Sequence, residues 1–590
     1  MAEFLSPGVR VRELRAGVPQ IRGTTTSVAA FIGRCLRGPV NKIPAARVTS
    51  FAQFTRIFGS FDPNSFMPDS VKAFFDNGGS EAYIVRVLGS SGGGPNTKAL
   101  KTLQTLGAVN AAVFTAKGEG DDSNNFNVRT ANTNNQIAST IPNIIIAGAT
   151  TQFNLGPAIA AKLNVGDVVL LFDSAGPTTC RIVVAGIANG IVNAQTSVVV
   201  PVGGLLQATT AVTIETFGVT YLYNGAIVYG PVSGLSMSSL SRKNYFITRL
   251  MPDDDELPIN VVDSSAPFGI AIDNRIVNTD TVNGDALATG SVFTTFADAD
   301  YIGAASAAST GFYVLDNIRR VRLVACPGVT GVAAGNVSKN LVAYCEARKD
   351  CYAVICPPQN TAVAACVTYK GTNIGSSSFG GIYYPWLKVV SPTTNQLAYL
   401  PTEGFAMGIM SRTDRVNGIS QAPAGDVKGK LVGTYGVERV LSDGDKDLLY
   451  PANINPIENI DDVGQCIMGS RTMETSEFNQ VHVRRTFIYM EQSLQIGTRF
   501  VIFEPNTPAT RSKLKRTADA FCEAEWNKGT LQGATVDDAF TNVCNDSNNP
   551  DVVVKAQQMF MDTAINVPQT TENLIINIQQ DQRGVARATS

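Results

Sequence analysis

The chain has 590 residues, enough for three or four domains of about 100 to 200 residues each. Its 47 basic side chains meet 49 acidic ones for a net charge of -2, so no overall field draws it to nucleic acid or to a membrane surface. Charged residues make up 16%, against about a quarter in ordinary soluble domains, which suits a β-rich structural protein. Met1-Ala2-Glu3-Phe4 places no basic region ahead of an apolar one, and no stretch nears about 18 consecutive apolar residues, so a soluble protein made in a cytoplasm is expected. The ten cysteines are too sparse for a disulfide scaffold. The densest group, Cys345, Cys351, Cys356 and Cys366, lacks Cys-x-x-Cys pairs and a nearby histidine, and is read as small buried thiols rather than a zinc site.

In chain order, the first element is a strand in which Val9 and Val11 alternate with Arg10 and Arg12. Pro7-Gly8 and Gly17-Val18-Pro19 isolate it. Residues 24–33 read as a buried strand, ended at Arg37-Gly38-Pro39. Ser50 then caps a short helix with Phe51, Phe54 and Phe58 on one side and Gly59 as its stop. A second helix over 70–77 leads through Gly78-Gly79 into a strand at 82–87. Residues 89–95, rich in Gly and Ser, read as a linker. From there to about residue 235, short strands at 165–172, 181–184 and 197–200 describe an all-β insertion. A strand at 321–326, a helix at 339–349 and a strand at 352–356 are βαβ-like, so 236–456 is expected to complete the domain begun at Thr24. Beyond Gly464, strands are expected around 481–488 and 499–503, then a helix over 508–526. The chain closes on a second isolated strand, in which Leu574, Ile576 and Ile578 alternate with Asn573, Asn577 and Gln579.

A lone strand is not stable in water, so each terminal strand must add to a sheet edge, in its own subunit or in a neighbour's. Burying three aliphatic side chains of the last one contributes roughly 5 kcal/mol. No catalytic constellation emerges. The single histidine, His482, sits in a predicted strand, and no Gly-x-Ser-x-Gly elbow exists. Gly425-Asp426-Val427-Lys428-Gly429-Lys430 misses the spacing of a phosphate loop, with Leu431 where the metal-binding hydroxyl belongs. Asp253-Asp254-Asp255-Glu256 lacks the glycine of a calcium loop. An enzyme is not expected, and neither a cofactor nor a metal. In the helix over 508–526, Arg511, Lys513, Lys515 and Arg516 crowd the first turns, where cations oppose the helix dipole. An acidic partner surface would offset them, as would ordinary solvation.

The residues resemble those of contractile tail sheath proteins, the sleeves of contractile-tailed phages and related injection machines. At the front the resemblance rests on Ser6-Pro7-Gly8-Val9, Thr26-Ser27-Val28-Ala29-Ala30-Phe31-Ile32-Gly33, Arg37-Gly38-Pro39 and Phe74-Phe75-Asp76-Asn77-Gly78-Gly79. Further on it rests on Tyr383-Tyr384-Pro385-Trp386, Arg412-Thr413-Asp414, Asn453-Ile454-Asn455-Pro456, Gly469-Ser470-Arg471-Thr472 and Val483-Arg484-Arg485. Near the end it rests on Phe503-Glu504-Pro505-Asn506, Trp526-Asn527-Lys528-Gly529 and Asn548-Asn549-Pro550. Where the family often has an aromatic, this chain has Ile467-Met468 ahead of Gly469.

The resemblance implies a mixed α/β (α+β), multidomain chain. It divides into an N-terminal arm (1–22), a middle α/β domain (23–95 and 236–460), an inserted all-β outer domain (96–235), an inner tube-facing domain (461–568) and a C-terminal arm and tail (569–590). It further implies a structural subunit that forms stacked hexameric rings around a tail tube and contracts to drive the tube through a cell envelope. Its partners would be itself, the tail tube protein, and baseplate and terminator proteins, with no direct nucleic acid or membrane. Such a subunit belongs to a virion and is assembled in the host cytoplasm. The arm residues would be Val9 and Val11, and Leu574, Ile576 and Ile578; the candidate tube contacts are Arg511, Lys513, Lys515 and Arg516. The alternatives are the sheath of a headless tailocin or type VI-like device, a secreted carbohydrate-binding protein, and a static shell protein.

Overall fold

Continuous apolar runs, rather than alternating ones, mark strands covered on both faces, and such strands organise the fold. The computed structural model describes residues 21–572 apart from 106–109, 176–177, 203, 207, 237–239, 242–243, 251–258, 264–275, 278–282, 306–308 and 331–335, together with 577–580 and 586–589. Its main sheet contains β1 (Ala29–Gly33), β2 (Ala46–Val48), β3 (Ala82–Arg86), β4 (Leu323–Ala325), β5 (Tyr352–Ile355), β6 (Gly380–Tyr384), β7 (Ile454–Ile460) and β8 (Gly464–Ile467), in the order β2-β3-β1-β4-β5-β6-β7-β8. The six strands from β3 to β7 run parallel, with Ala29 beside Ala82 on one side and Leu323 on the other, and an antiparallel strand closes each end. Within β1, Ala30 and Ile32 enter one apolar layer while Ala29 and Phe31 enter the opposite one, so both faces are covered.

The local rules hold at α1 (Phe51–Phe58). Ser50 Oγ accepts from Gln53 N at 3.2 Å, Gly59 closes the helix at φ +92°, and the rings of Phe51, Phe54 and Phe58 stack in sequence. The next helix, α2 (Met67–Asp76), begins slightly earlier than its sequence pattern suggests, with Pro68 in its first turn. The sheet switches direction between β1 and β4, the place where such sheets commonly take ligands. Here the chain's own groups occupy it. Met67 lies against Gly33, Phe66 against Gly328, and Gly328 N donates to Glu403 Oε1 at 3.3 Å. Glu403 opens α3 (Glu403–Val416) fully buried, and desolvation pushes its carboxyl up to about 7.

Residues 89–95, expected as a linker, instead begin a strand. Ser91–Thr105 pairs with Asn110–Glu119 and with Ser291–Thr295, matching Gly93 with Phe293 and Ser91 with Thr295. A ladder is made by backbone, and glycines let a second backbone approach closely, so composition alone misreads the stretch. The all-β part also draws strands from beyond residue 235. Ile259–Asp263 pairs with Asn110–Glu119, and Asp285–Ala286 with Phe126–Asn132. Its second apolar centre lies under a six-stranded sheet that contains Val168–Asp173, Thr178–Ala188 and Ile191–Val200.

Two buried arginines hold this β-rich part to the main sheet. Arg86, at the end of β3, donates to the carbonyls of Cys35, Leu36, Gly38 and Glu119, the last belonging to the insertion. Burial lowers its pKa to about 10. Arg37 bonds Asp122 at 3.0 Å and lies 4.1 Å over the Tyr223 ring and 5.0 Å over that of Phe126.

Three expectations in the last third are corrected. Residues 481–488 are not a strand but the start of α4 (Val481–Gly497), and 499–503 form a 3-10 turn at Arg499–Val501 followed by an open turn. Nearly every residue of α4 up to Met490 is buried, so its pattern carries no 3.6-residue period to recognise. α5 (Pro508–Asn527) follows with Thr507 as its cap, then the hairpin β9 (Phe540–Val543) and β10 (Asp562–Ile565). The last strand, read as lacking a sequence neighbour, has one. β11 (Asn577–Gln580) pairs antiparallel with β12 (Ala586–Thr589), Ile578 opposite Ala588, because residues 586–589 alternate Ala with Arg or Thr at the same period of two. This pair joins no other described strand.

Replacing Arg86 by Ala leaves four carbonyls without their donor. We expect urea unfolding of Arg86→Ala to show a loss of about 3 to 5 kcal/mol, with Arg86→Lys recovering only part of it, and limited proteolysis to open the junction near residues 89–95.

Candidate inter-subunit site at the roots of the chain termini

Both ends of the described chain are tied to one helix. Toward its C-terminal end, α4 receives residues 21–26. Thr24 N donates to Ser493 Oγ at 3.1 Å, and Arg485 Nη2 donates to Thr26 O at 3.1 Å. Ile21 presses on Gly497 and Tyr489 on Gly23 so closely that a Cβ on either glycine would collide. Arg485 is itself fixed by a two-point ion pair with Asp414 of α3, at 2.9 and 2.5 Å, with both side chains 3% exposed.

At its N-terminal end, α4 receives residues 566–572. His482 Nε2 donates to Pro568 O at 3.0 Å, which fixes the tautomer and leaves Nδ1 as a buried acceptor. Thr570 N donates to the side chain of Gln480 at 3.3 Å. Arg471 grips Glu572 with two bonds, at 2.5 and 3.3 Å, while lying 4.0 Å over the Tyr450 ring. Burial would raise the Glu572 carboxyl, but its bonds to Arg471 outweigh that and hold it below the ordinary range. Burial is also the main reason that the His482 pKa falls to about 4, with Arg485 and Lys428 opposing a second ring proton and Glu572 favouring one. Beside this root runs a groove of about 650 Å³, walled by Asp426, Lys428, Lys446, Tyr450, Glu458 and Glu572. The loop at 425–430 that mimics a phosphate loop forms one wall, and its Lys428 is bonded to Gln421.

Beneath α5 lies the hairpin β9–β10, to which no third described strand is paired. Asn549 closes it by exchanging bonds with the backbone of Phe560, and Asn548 bonds Val543 O and Asp562. The four cations predicted on α5 separate into two pairs. Arg511 is buried and bonded to Asp546 at 2.7 Å and to Asn549 O, and Lys515 is bonded to Asp519 at 2.8 Å. Lys513 and Arg516 face outward without a carboxylate partner among the described residues; Lys513 lies 5.0 Å over the Phe500 ring. The unfavourable cation at the helix start is therefore offset within the chain, by Asp546. Of the predicted arm residues, Val9, Val11, Leu574 and Ile576 lie outside the described residues, and Ile578 is described only by its pairing in β11.

Residues 473–581, which contain α4, α5, the hairpin and the C-terminal root, match the family model for the phage tail sheath C-terminal domain. In this part the chain resembles the contractile tail sheath proteins. It is 24% identical over 247 residues to the tail sheath protein of Enterobacteria phage T4, covering 39% of this chain and 37% of that one. With the tail sheath protein of Salmonella phage ViI it shares 24% identity over 265 residues, covering 41% of each. The chain thus aligns with well under half the length of these curated relatives. Its fold is similar to the helical sheath of the anti-feeding prophage in its contracted state, with a TM-score of 0.51 at 15% identity over 98% of this chain and 99% of that one. The sheath tail protein of Listeria innocua gives 0.52 at 9% identity, over 92% and 96%.

The sheath motifs quoted from the sequence meet in space. Asp414 pairs with Arg485, although 71 positions separate them. Asn455 bonds Arg471 through both its backbone groups and also bonds Ile382 O. Arg484 lies between the rings of Phe379 and Phe478, at 4.5 and 3.7 Å. Sequence reasoning missed the roles of His482, Gln480, Arg471 and Ser493 at the arm roots. The one available signal was the placement of Arg471 and Arg485 inside recognisable motifs.

The depressed His482 pKa sets a pH dependence. The unfolded ring takes its proton near pH 6.5 and the folded one only near 4, so this group's contribution is complete above 6.5 and is lost as pH falls through 4. We expect the protein to lose up to about 3 kcal/mol of stability between pH 6.5 and pH 4 relative to His482→Gln, which keeps a donor for Pro568 O but has no such proton to take. Denaturant melts of both proteins across that range measure the difference.

Proposed function

We propose that copies of this chain polymerise into the sleeve of a phage tail, with each terminal arm crossing to a neighbour and completing its β9–β10 sheet. The observation that carries this reading is the pair of arm roots clamped to α4, next to a two-stranded sheet with both outer edges unpaired among the described residues. Two strands alone are marginal in water, and free edges invite added strands. Val9 and Val11 would enter from the N-terminal arm, and Leu574, Ile576 and Ile578 from the C-terminal one. Because the roots are held by the Arg471–Glu572 ion pair and by hydrogen bonds to α4, tension on an arm passes to the rigid body of the subunit.

In this reading the subunits stack as hexameric rings around a tail tube, trapped in an extended lattice at assembly and released by the baseplate to a shorter, wider one. The bistable element is the set of subunit interfaces, while the fold moves as a unit. The terminator caps the far end, and contraction drives the tube through the envelope to deliver the genome. Domain 461–568 faces the tube through the outward side of α5, where Lys513 and Arg516 have no carboxylate partner among the described residues. The insertion lies outward, where added mass disturbs the lattice least. The subunit is made in the host cytoplasm and ends in the virion.

A chain truncated after Pro568 tests the reading. It keeps the His482 bond to Pro568 O but loses those of Thr570 and Glu572, so circular dichroism should match the full chain with a somewhat lower melting transition, while negative-stain images should contain no long tubes. Tubes of normal length from the truncated chain would rule out the C-terminal arm as the lattice tie.

A further inference from the structure

The groove beside the C-terminal root has bonding capacity that the subunit itself leaves unused. Of its charged walls, Lys446 is spent on Glu458 at 3.0 Å and on Asp443, Lys428 on Gln421, and Glu572 on Arg471. Asp426 and Asp447 are exposed and have no hydrogen-bond or ion-pair partner among the described residues. Ser470 also lines the groove, is 7% exposed, and its Oγ has no partner among the described residues either. The open positions are therefore two carboxylates, which only accept, and a hydroxyl able to accept. The lining as a whole carries four carboxylates against two ammonium groups.

A concave site with surplus negative charge and free acceptors takes a donor-rich cation. A guanidinium fits it better than an ammonium, since its planar fork donates to a carboxylate through two N–H groups and keeps others for a hydroxyl. The chain supplies such cations in the segment read above as crossing to a neighbour: residues 9–16 carry Arg10, Arg12 and Arg15 against the single carboxylate of Glu13. In an extended strand Arg10 and Arg12 lie on one face, about 6.6 Å apart, with Val9 and Val11 on the other. The groove also begins close to where the hairpin ends. β10 closes at Ile565 and Thr570 already lines the groove, at most about 18 Å farther along the chain. We propose that this groove seats the arginine face of a second copy's N-terminal arm, with Asp426 and Asp447 paired to its guanidinium groups and Ser470 Oγ accepting from one of them. A copy's own arm leaves from the far end of α4, about 25 Å away, and filling its own groove would use up the tie between copies. This rests on the reading that N-terminal arms cross between copies, and adds recognition of the face opposite the valines. Valines suit any apolar strand neighbour, whereas paired charges make the contact selective.

Polymers assembled from equal amounts of isotopically light and heavy chains, all carrying the photo-crosslinking substitution Val427→p-benzoylphenylalanine on the groove wall, identify the occupant. The expected product is an adduct with residues 1–20 in which half of the joined peptides are light–heavy mixtures. An adduct within one chain, an adduct with the C-terminal tail or with another protein, or none, overturns the proposal. In parallel, Asp426→Lys/Asp447→Lys should lower the yield of polymer about tenfold, and adding Arg10→Glu/Arg12→Glu to the same chain should restore it. Full yield from the groove variant alone, or no recovery in the combined one, also overturns it. The same irradiation of Val9→p-benzoylphenylalanine polymers separates this proposal from the reading beneath it. Labelling of a neighbour's β9–β10 hairpin from Val9, with an unlabelled groove, removes the seat and leaves arm exchange standing. Absence of any neighbour adduct from both positions removes the two together.

Discussion

The buried pair between Arg485 and Asp414 is the constraint on which the other parts depend. It joins α4 to α3 across two layers of the molecule, and the same guanidinium holds Thr26 O. A charge pair at 3% exposure is sustained only when its remaining donors are also used, and here the backbone at the foot of the N-terminal segment uses one. α4 consequently has a fixed address between the main sheet and the C-terminal domain. From that address His482, Gln480 and Ser493 reach the two chain ends. The protein thus resembles a rivet with a tether at each end, and the rivet is a helix 17 residues long, about 25 Å at 1.5 Å per residue.

Around that helix the chemistry is directed to holding shape. The crevice where a doubly covered parallel sheet would offer a ligand site is occupied by Phe66, Met67 and Glu403. All ten cysteines are buried, and desolvation raises the thiols of Cys345, Cys356 and Cys366. The one histidine serves as a donor to a carbonyl. Arginine rather than lysine does most of the joining, at Arg37, Arg86, Arg471, Arg484 and Arg485, since a planar fork bonds several carbonyls or a carboxylate and stacks on a ring at the same time.

Much of this was legible in the sequence where the determinant is local. The cap and stop of α1, the βαβ step from β4 through Asn336–Arg348 to β5, the strands expected at 165–172 and 181–184 and found at Val168–Asp173 and Thr178–Ala188, and α5 all follow from residues within a few positions of one another. The misreadings have two physical sources. α4 is buried on nearly every side, so Val481, His482 and Val483 carry no helical stripe and imitate strand alternation. Residues 91–95 are held by partners two hundred or more positions away, and no property of Gly-Gly-Gly-Pro announces such a partner. The arm roots are the extreme case. Thr24 and Ser493 lie 469 positions apart, and their bond is a product of the whole topology. The cations of α5 were found by type and place, but only the fold distinguishes Arg511, spent on Asp546, from Lys513 and Arg516.

The way the insertion leaves the main sheet has a consequence for how such a chain can vary. Its opening strand, Ser91–Thr105, is laddered to its closing strand, Ser291–Thr295, with Ser91 opposite Thr295 and Thr97 opposite Ser291. Entry and exit therefore stand one strand spacing apart, about 4.8 Å. A module whose own ends lie side by side can be excised at this stem, or grafted onto it, without altering the register of the main sheet. The stem makes the ornament exchangeable while the machine beneath it stays the same.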